Sequence, residues 1–154
     1  MISIEDALKA VITNSKEVSK EVILPIEKIC NSILYKDIYA PINMPPFRQS
    51  AMDGYALNLH NDFSYLLIDE VKAGDGHQPI LKQGEAIRIF TGAAVPDSAN
   101  AVIMQEKVII NKNNITVTSQ LSNDYNIRAI GEQVKKGELA LKKGTKLTPA
   151  AIGY

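Results

Sequence analysis

The sequence is poor in the features that would place it outside the ordinary globular class. It holds one cysteine, Cys30, in 154 residues, which excludes an internal disulfide framework and points to a reducing compartment, the cytoplasm. Flanked by Ile29 and Ile33, Cys30 reads as a buried apolar filler rather than a nucleophile. There is no tryptophan, and aromatics make up 6% of the chain. No apolar run approaches the roughly 20 residues that span a bilayer, and no charged start with an apolar core marks a secretory leader. Lys+Arg and Asp+Glu both number 17, so no excess of one sign recommends a nucleic acid or a membrane surface as partner. The two histidines, His60 and His77, stand in loop-like sequence without a carboxylate or a second histidine at ligand spacing. They read as surface residues. Charge is uneven only near the end, where Arg128, Lys135, Lys136, Lys142, Lys143 and Lys146 face Glu132 and Glu138. That excess is a solvated basic face, or a dock for an anion or an acidic surface.

What is present is 45% hydrophobic content, enough for a core in one ordinary or two small domains. Ile4, Ala7, Leu8, Val11 and Ile12 recur on one helical face behind Ser3, predicting a helix over residues 3–14. A polar stretch over 14–20 leads to extended sequence at 21–24. Past Pro25, a second short helix is predicted from Ile26, Ile29, Cys30, Ile33 and Leu34. A weak strand at 36–40 then feeds Pro41, Pro45 and Pro46, which read as a semi-rigid connection.

Beyond Ala51 the period shifts to short apolar runs broken by Gly, Asn, Asp and Pro, the signature of a small antiparallel β domain. Strands are expected at 55–59, 65–71, 86–90 and 101–104, with a hairpin of 108–110 and 115–117 about an asparagine-rich turn. No helix is expected within 86–118. Gly74-Asp75-Gly76 reads as a loop, since the third glycine and following helix of a dinucleotide fingerprint are missing. Near the end, 138–141 can form a strand, and Thr148-Pro149 announces a helix start. The predicted architecture is mainly β (α+β): a small, barrel-like antiparallel β domain, 45–124, inserted into a mixed helix/strand lobe of 1–44 with 125–154.

One stretch concentrates special residues around a carboxylate: Pro45-Pro46-Phe47-Arg48-Gln49-Ser50-Ala51-Met52-Asp53-Gly54-Tyr55-Ala56. Its prolines fix an extended approach, and Gly54 permits a turn or a close backbone approach beside Asp53. A second block runs Arg88-Ile89-Phe90-Thr91-Gly92-Ala93-Ala94-Val95-Pro96 and on through Ala101-Val102-Ile103-Met104-Gln105-Glu106. A third consists of Asn126-Ile127-Arg128, Gly131-Glu132 and Gly137. Together, in this order, the blocks resemble the MoeA family of molybdopterin molybdenumtransferases, to which the E domain of gephyrin also belongs. Since proteins of that family are much longer, the chain resembles only their amino-terminal part, and a helix announced five residues before the end fits a fragment.

The resemblance implies an enzyme that inserts molybdate into adenylylated molybdopterin with release of AMP, assisted by a divalent cation, usually Mg²⁺, in molybdenum-cofactor synthesis. It places Asp53 and Thr91 at the catalytic centre and Ser50, Gly54 and Gly92 beside the substrate; it designates no particular metal ligands here. A carboxylate can hold a cation or orient a metal-bound oxyanion, and a hydroxyl beside a glycine can donate to an anion together with a backbone N–H. The family's site lies at a homodimer interface and is completed by a later α/β domain, so this chain alone is expected to be inactive. The alternative reading is a non-catalytic dimerisation or scaffold module of the same family. Three positions depart from the family's pattern. Gln133 replaces an acid after Gly-Glu and cannot neutralise a cation; Ala94 stands where proline is usual, and Asn100 where an acid is frequent.

Overall fold

A computed structural model describes residues 2–16 and 20–154. Part of the polar stretch at 14–20 therefore lies outside the described residues. Backbone contacts divide the chain into two compact units, 1–37 with 141–154, and 38–140.

In the first unit, helix α1 (Ile4–Asn14) begins where Ser3 accepts a bond from the Asp6 N–H and donates one to its carboxylate, satisfying an orphan donor of the first turn. The second predicted helix does not form. Only a three-residue 3-10 turn, Ile26–Lys28, appears, because Asn31 adopts a left-handed φ of 67° and the chain leaves the helical path. From there it pairs with the end of the sequence: the Leu34 N–H donates to Thr145 O and the Leu147 N–H to Ser32 O, both at 2.9 Å. Cys30 is consequently exposed rather than a core filler. The extended stretch 21–24 joins no strand. Helix α2 (Pro149–Gly153) starts as predicted, with the Thr148 hydroxyl accepting from the Ala151 N–H.

The second unit is mainly β. Its sheet comprises β3 (Gly54–Leu57), β4 (Ser64–Val71), β5 (Glu85–Ile89), β6 (Ala101–Met104), β7 (Val108–Asn111) and β8 (Asn114–Val117), in the order β6-β3-β5-β4-β8-β7. The two edge strands are consecutive in sequence and joined by a three-residue 3-10 turn, Gln105–Lys107, the one helical turn within 86–118. Laid flat, six strands would separate these edges by five gaps, or about 24 Å. Four Cα steps reach at most about 15 Å, so the sheet must curl toward a barrel. All pairings are antiparallel except β4·β5, whose parallel register requires the crossover loop 72–84.

Side-chain alternation splits the apolar residues into two layers. Tyr55, Leu57, Tyr65, Ala86, Ile103, Ile115 and Val117 form one cluster. Ala56, Val71, Ile87, Ile89 and Val102 form the other, covered by Leu81, Ala93, Val95 and Ala99 from the loops. In the β7–β8 hairpin the left-handed residue is Lys112 (φ 53°) rather than an asparagine, and the carbonyl of Asn113 accepts from the Leu67 N–H on β4.

Short ribbons flank the sheet. Strand β1 (Ile38–Tyr39) pairs with β10 (Leu139–Leu141), Met44 bridges to Val134, and β2 (Gln49–Ser50) pairs with β9 (Ile127–Arg128). These bonds keep 38–50 and 127–140 within the β unit, so the contact division falls outside the 44/45 and 124/125 positions marked by the change of period.

Candidate functional site

Asp53 lies at the entry to β3, where the chain emerges from the β2 ribbon, and Thr91 lies just past the end of the neighbouring β5. Because β3 and β5 are antiparallel with Gly54 opposite Ile89, these two loop positions meet. Thr91 donates to Asp53 Oδ1 from its N–H at 2.7 Å and from Oγ1 at 2.8 Å. Both residues are exposed. Asp53 is held below the ordinary aspartate pKa, first by the Thr91 N–H, then by the Thr91 hydroxyl, with partial desolvation opposing and the Arg88 charge assisting. Among the described residues none donates to Oδ2, which is the oxygen left to meet a ligand.

The loops that present this pair are fixed from below. Ser50 is fully buried; its hydroxyl donates to Met52 O at 2.7 Å and accepts from the Met52 N–H. It shapes the turn that lifts Asp53 and has no free face for a substrate. Gly54 is likewise a packing residue: a Cβ there would sit 1.8 Å from Ile103 O on β6, so only glycine lets the strands approach. Gly92 adopts a left-handed φ of 87°, and its N–H donates to Ser50 O at 3.0 Å. With the Thr91 N–H bound to Asp53 and the Ala93 N–H to Phe90 O, the Thr-Gly-Ala turn has no spare backbone donor for an anion. The pair thus presents acceptor oxygens, suited to a cation or a proton donor.

Arg48 clamps the far side of the second block, donating to Pro96 O and Ala99 O and pairing with Asp124 at 3.3 Å. Asn100 accepts from the Leu59 N–H through its side-chain oxygen, a task an acid could also perform. Gln133 is exposed, its N–H donating to Met44 O. Sequence reasoning gave no role to Arg88, whose guanidinium donates to Gly54 O and to Gln105 Oε1. The signal was there: a charged residue in the buried run Ala86-Ile87-Arg88-Ile89 needs partners.

His77 is exposed, as its loop suggested, and it has a carboxylate partner. Its Nε2 lies 2.6 Å from Asp69 Oδ2, and that bond is the main cause of a lowered Asp69 pKa. His60 meets Ser64 O at 2.8 Å and stands edge-on to Tyr65. Among the described residues no three His, Cys, Asp or Glu side chains gather as a metal site. A cavity of about 330 Å³ opens at the other end of β3, among Leu59, His60, Phe63, Tyr65 and Leu121, remote from Asp53.

The profile of a protein family described as "MoeA N-terminal region (domain I and II)" matches residues 2–154. The chain belongs to that family. It is 40% identical over 133 residues to a molybdopterin molybdenumtransferase of Haemophilus influenzae, covering 84% of this chain and 33% of that protein. To one of Staphylococcus aureus it is 32% identical over 159 residues, covering 98% and 38%. A crystal structure of the molybdopterin biosynthesis moeA protein from Pyrococcus horikoshii superposes with a TM-score of 0.86 at 34% identity, over 97% of this chain and 41% of that one. This chain therefore spans between 33% and 41% of the length of these relatives. Its mainly β architecture is that of the matched part of the Pyrococcus horikoshii structure.

Proposed function

We propose that this chain supplies part of the active site of a molybdopterin molybdenumtransferase, which inserts molybdate into adenylylated molybdopterin and releases AMP. The observation that carries the reading is the Asp53–Thr91 pair, in which two family blocks far apart in sequence converge on one carboxylate oxygen. With Oδ1 saturated, the free Oδ2 is aimed and kept ionised, as a ligand or proton acceptor must be. Mg²⁺ fits this arrangement as a partner held through one carboxylate and the substrate's own phosphates; Asp53 is the residue that would hold it, and bound Mg²⁺ would neutralise phosphate charge. The surfaces that enclose pterin and nucleotide are assigned to the part of the relatives that this chain does not cover.

The same reading includes a homodimer in the cytoplasm. Helix α1 supports the dimer, since Ile4, Leu8, Val11 and Ile12 form a stripe 58–88% exposed, an apolar face that soluble proteins cover. No helix among the described residues is long and apolar enough to cross a membrane.

A chimera tests the proposal: this chain replaces the matching segment of the Haemophilus influenzae relative. Molybdate-dependent AMP release that Asp53→Ala abolishes is the expected result. A folded, dimeric chimera without turnover, or one indifferent to Asp53→Ala, would refute it and favour a scaffold role.

A further inference from the structure

We propose that Arg88 is the positioning residue of the Asp53 carboxylate, a clamp that ties β5 to β3 beside it and to the 3-10 turn that follows β6. The proposal rests on the reading of Asp53 given above, but its test does not require turnover. Arg88 stands opposite Tyr55 in the β3·β5 register and shares a sheet face with Ala86 and Tyr55, both members of one buried cluster. Its guanidinium lies 5.1 Å from the centroids of both the Tyr55 and Phe90 rings, which hold it in place by cation–π attraction.

From that slot the fork donates in two directions. Nη1 reaches Gly54 O at 3.3 Å, and Nη2 reaches Gln105 Oε1. The Gln105 N–H in turn donates to Asp53 O at 3.1 Å. The carbonyl of Asp53 and the carbonyl after it are thus both tied, directly or through one residue, to Arg88. Three residues along the same strand exit, Thr91 grips the side chain. β5 therefore fixes the backbone of Asp53 through Arg88 and its carboxylate through Thr91.

The charge of Arg88 is not spent elsewhere. Its register partner on β4, Glu70, is paired with Lys72 at 3.0 Å, and Glu106 within the 3-10 turn accepts from Gln105 Nε2. Among the described residues Arg88 has no direct ion pair, leaving its field for Asp53. Lysine could supply that charge, but a tetrahedral ammonium lacks the planar fork that lies against both rings while donating to β3 and to the 3-10 turn.

Amide exchange and side-chain carboxyl titration by NMR on the 154-residue chain test the clamp. In Arg88→Met, exchange at Thr91 and Gln105 should rise about 10-fold or more relative to Ala56 and Ile87, and the Asp53 midpoint should rise. Arg88→Lys should restore the midpoint and not the exchange protection. Unchanged protection at Thr91 and Gln105, or acceleration shared equally by the whole sheet, would overturn the proposal. Should Arg88→Met fail to fold, Gln105→Ala decides, because it removes one arm: faster exchange at Thr91 with the sheet unaffected supports the clamp, and no change refutes it. If Asp53→Ala leaves the chimera active while these exchange results hold, the functional reading fails and the clamp stands.

Discussion

Thr91 donates twice to the same oxygen of Asp53, through its N–H and through its hydroxyl, at 2.7 and 2.8 Å. Each bond favours the ionised carboxylate, and both are stronger than neutral bonds because the acceptor is charged. The pair therefore acts on protonation as well as on position.

Removing one of the two donors should move the carboxylate part of the way back. In Thr91→Val the N–H bond survives and the hydroxyl bond is lost, so the Asp53 midpoint should rise toward, without reaching, the ordinary aspartate value. Because the folded pKa is depressed, the linked stabilisation is fully present above the ordinary value, near 4. It is lost as pH falls through the depressed one. Carboxyl titration by NMR checks this. An unmoved midpoint would show that the backbone donor alone sets it.

Glycines at the two blocks should respond to substitution for different reasons. Gly54→Ala brings a Cβ to 1.8 Å from a main-chain oxygen of β6, which no rotamer relieves, so a loss of about 3 kcal/mol or more, or failure to fold, is expected. Gly92→Ala meets nothing closer than 3.9 Å and suffers only its left-handed φ of 87°, an effect of about 1 kcal/mol. Chemical denaturation of both variants measures the contrast, and equal losses would contradict it.

Much of this was legible along the chain. The strands show as short apolar runs bounded by Gly, Asn, Asp and Pro, Ser3 and Thr148 mark helix starts by their side chains, and Gly54 permits a close approach. The errors share a cause, which is information held by residues distant in sequence. Ile26 to Leu34 has helical spacing, yet Asn31 turns left-handed and the chain pairs with residues 145–147. Strands β2 and β9 are too short to show a period and exist because the two arms meet. Ser50 and the N–H groups of 91–93 look available in sequence, and only the fold reveals that each is already bonded. Arg88 stands within the second block but acquires a task only when Gly54 and Gln105 come within reach.

The β4 edge of the crossover loop should be sensitive to acid. Asp69 is held low chiefly by its bond to His77 and secondarily by the Glu70 N–H. In His77→Ala the Asp69 midpoint should rise, and the linked stabilisation, present above the ordinary aspartate value and lost as pH falls through the depressed one, should shrink. Titration of the Asp69 carboxyl with and without His77 checks the direction. No shift would mean that the 2.6 Å contact does not persist in solution.

The last prediction concerns what the chain can bind by itself, and it follows from the groups the site has to spare. Asp53 offers one unbonded carboxylate oxygen, Thr91 offers lone pairs on a hydroxyl whose proton is committed to Asp53, and the adjoining N–H groups are all engaged. An adenylylated pterin is anionic, and nothing in this pair donates to it. The cavity of about 330 Å³ is lined at the other end of β3 and does not enclose a ligand held at Asp53. Association costs about 4 kcal/mol or more in lost translation and rotation, and a few solvent-exposed polar contacts do not offset that and leave a tight complex. Affinity for adenylylated molybdopterin no tighter than roughly millimolar is expected, with no AMP released when Mg²⁺ and molybdate are added. Isothermal calorimetry and nucleotide chromatography on the purified 154-residue chain decide the matter. A micromolar dissociation constant, or AMP release that disappears in Asp53→Ala, would show that the site is complete within these residues and that enclosure by further chain is not required.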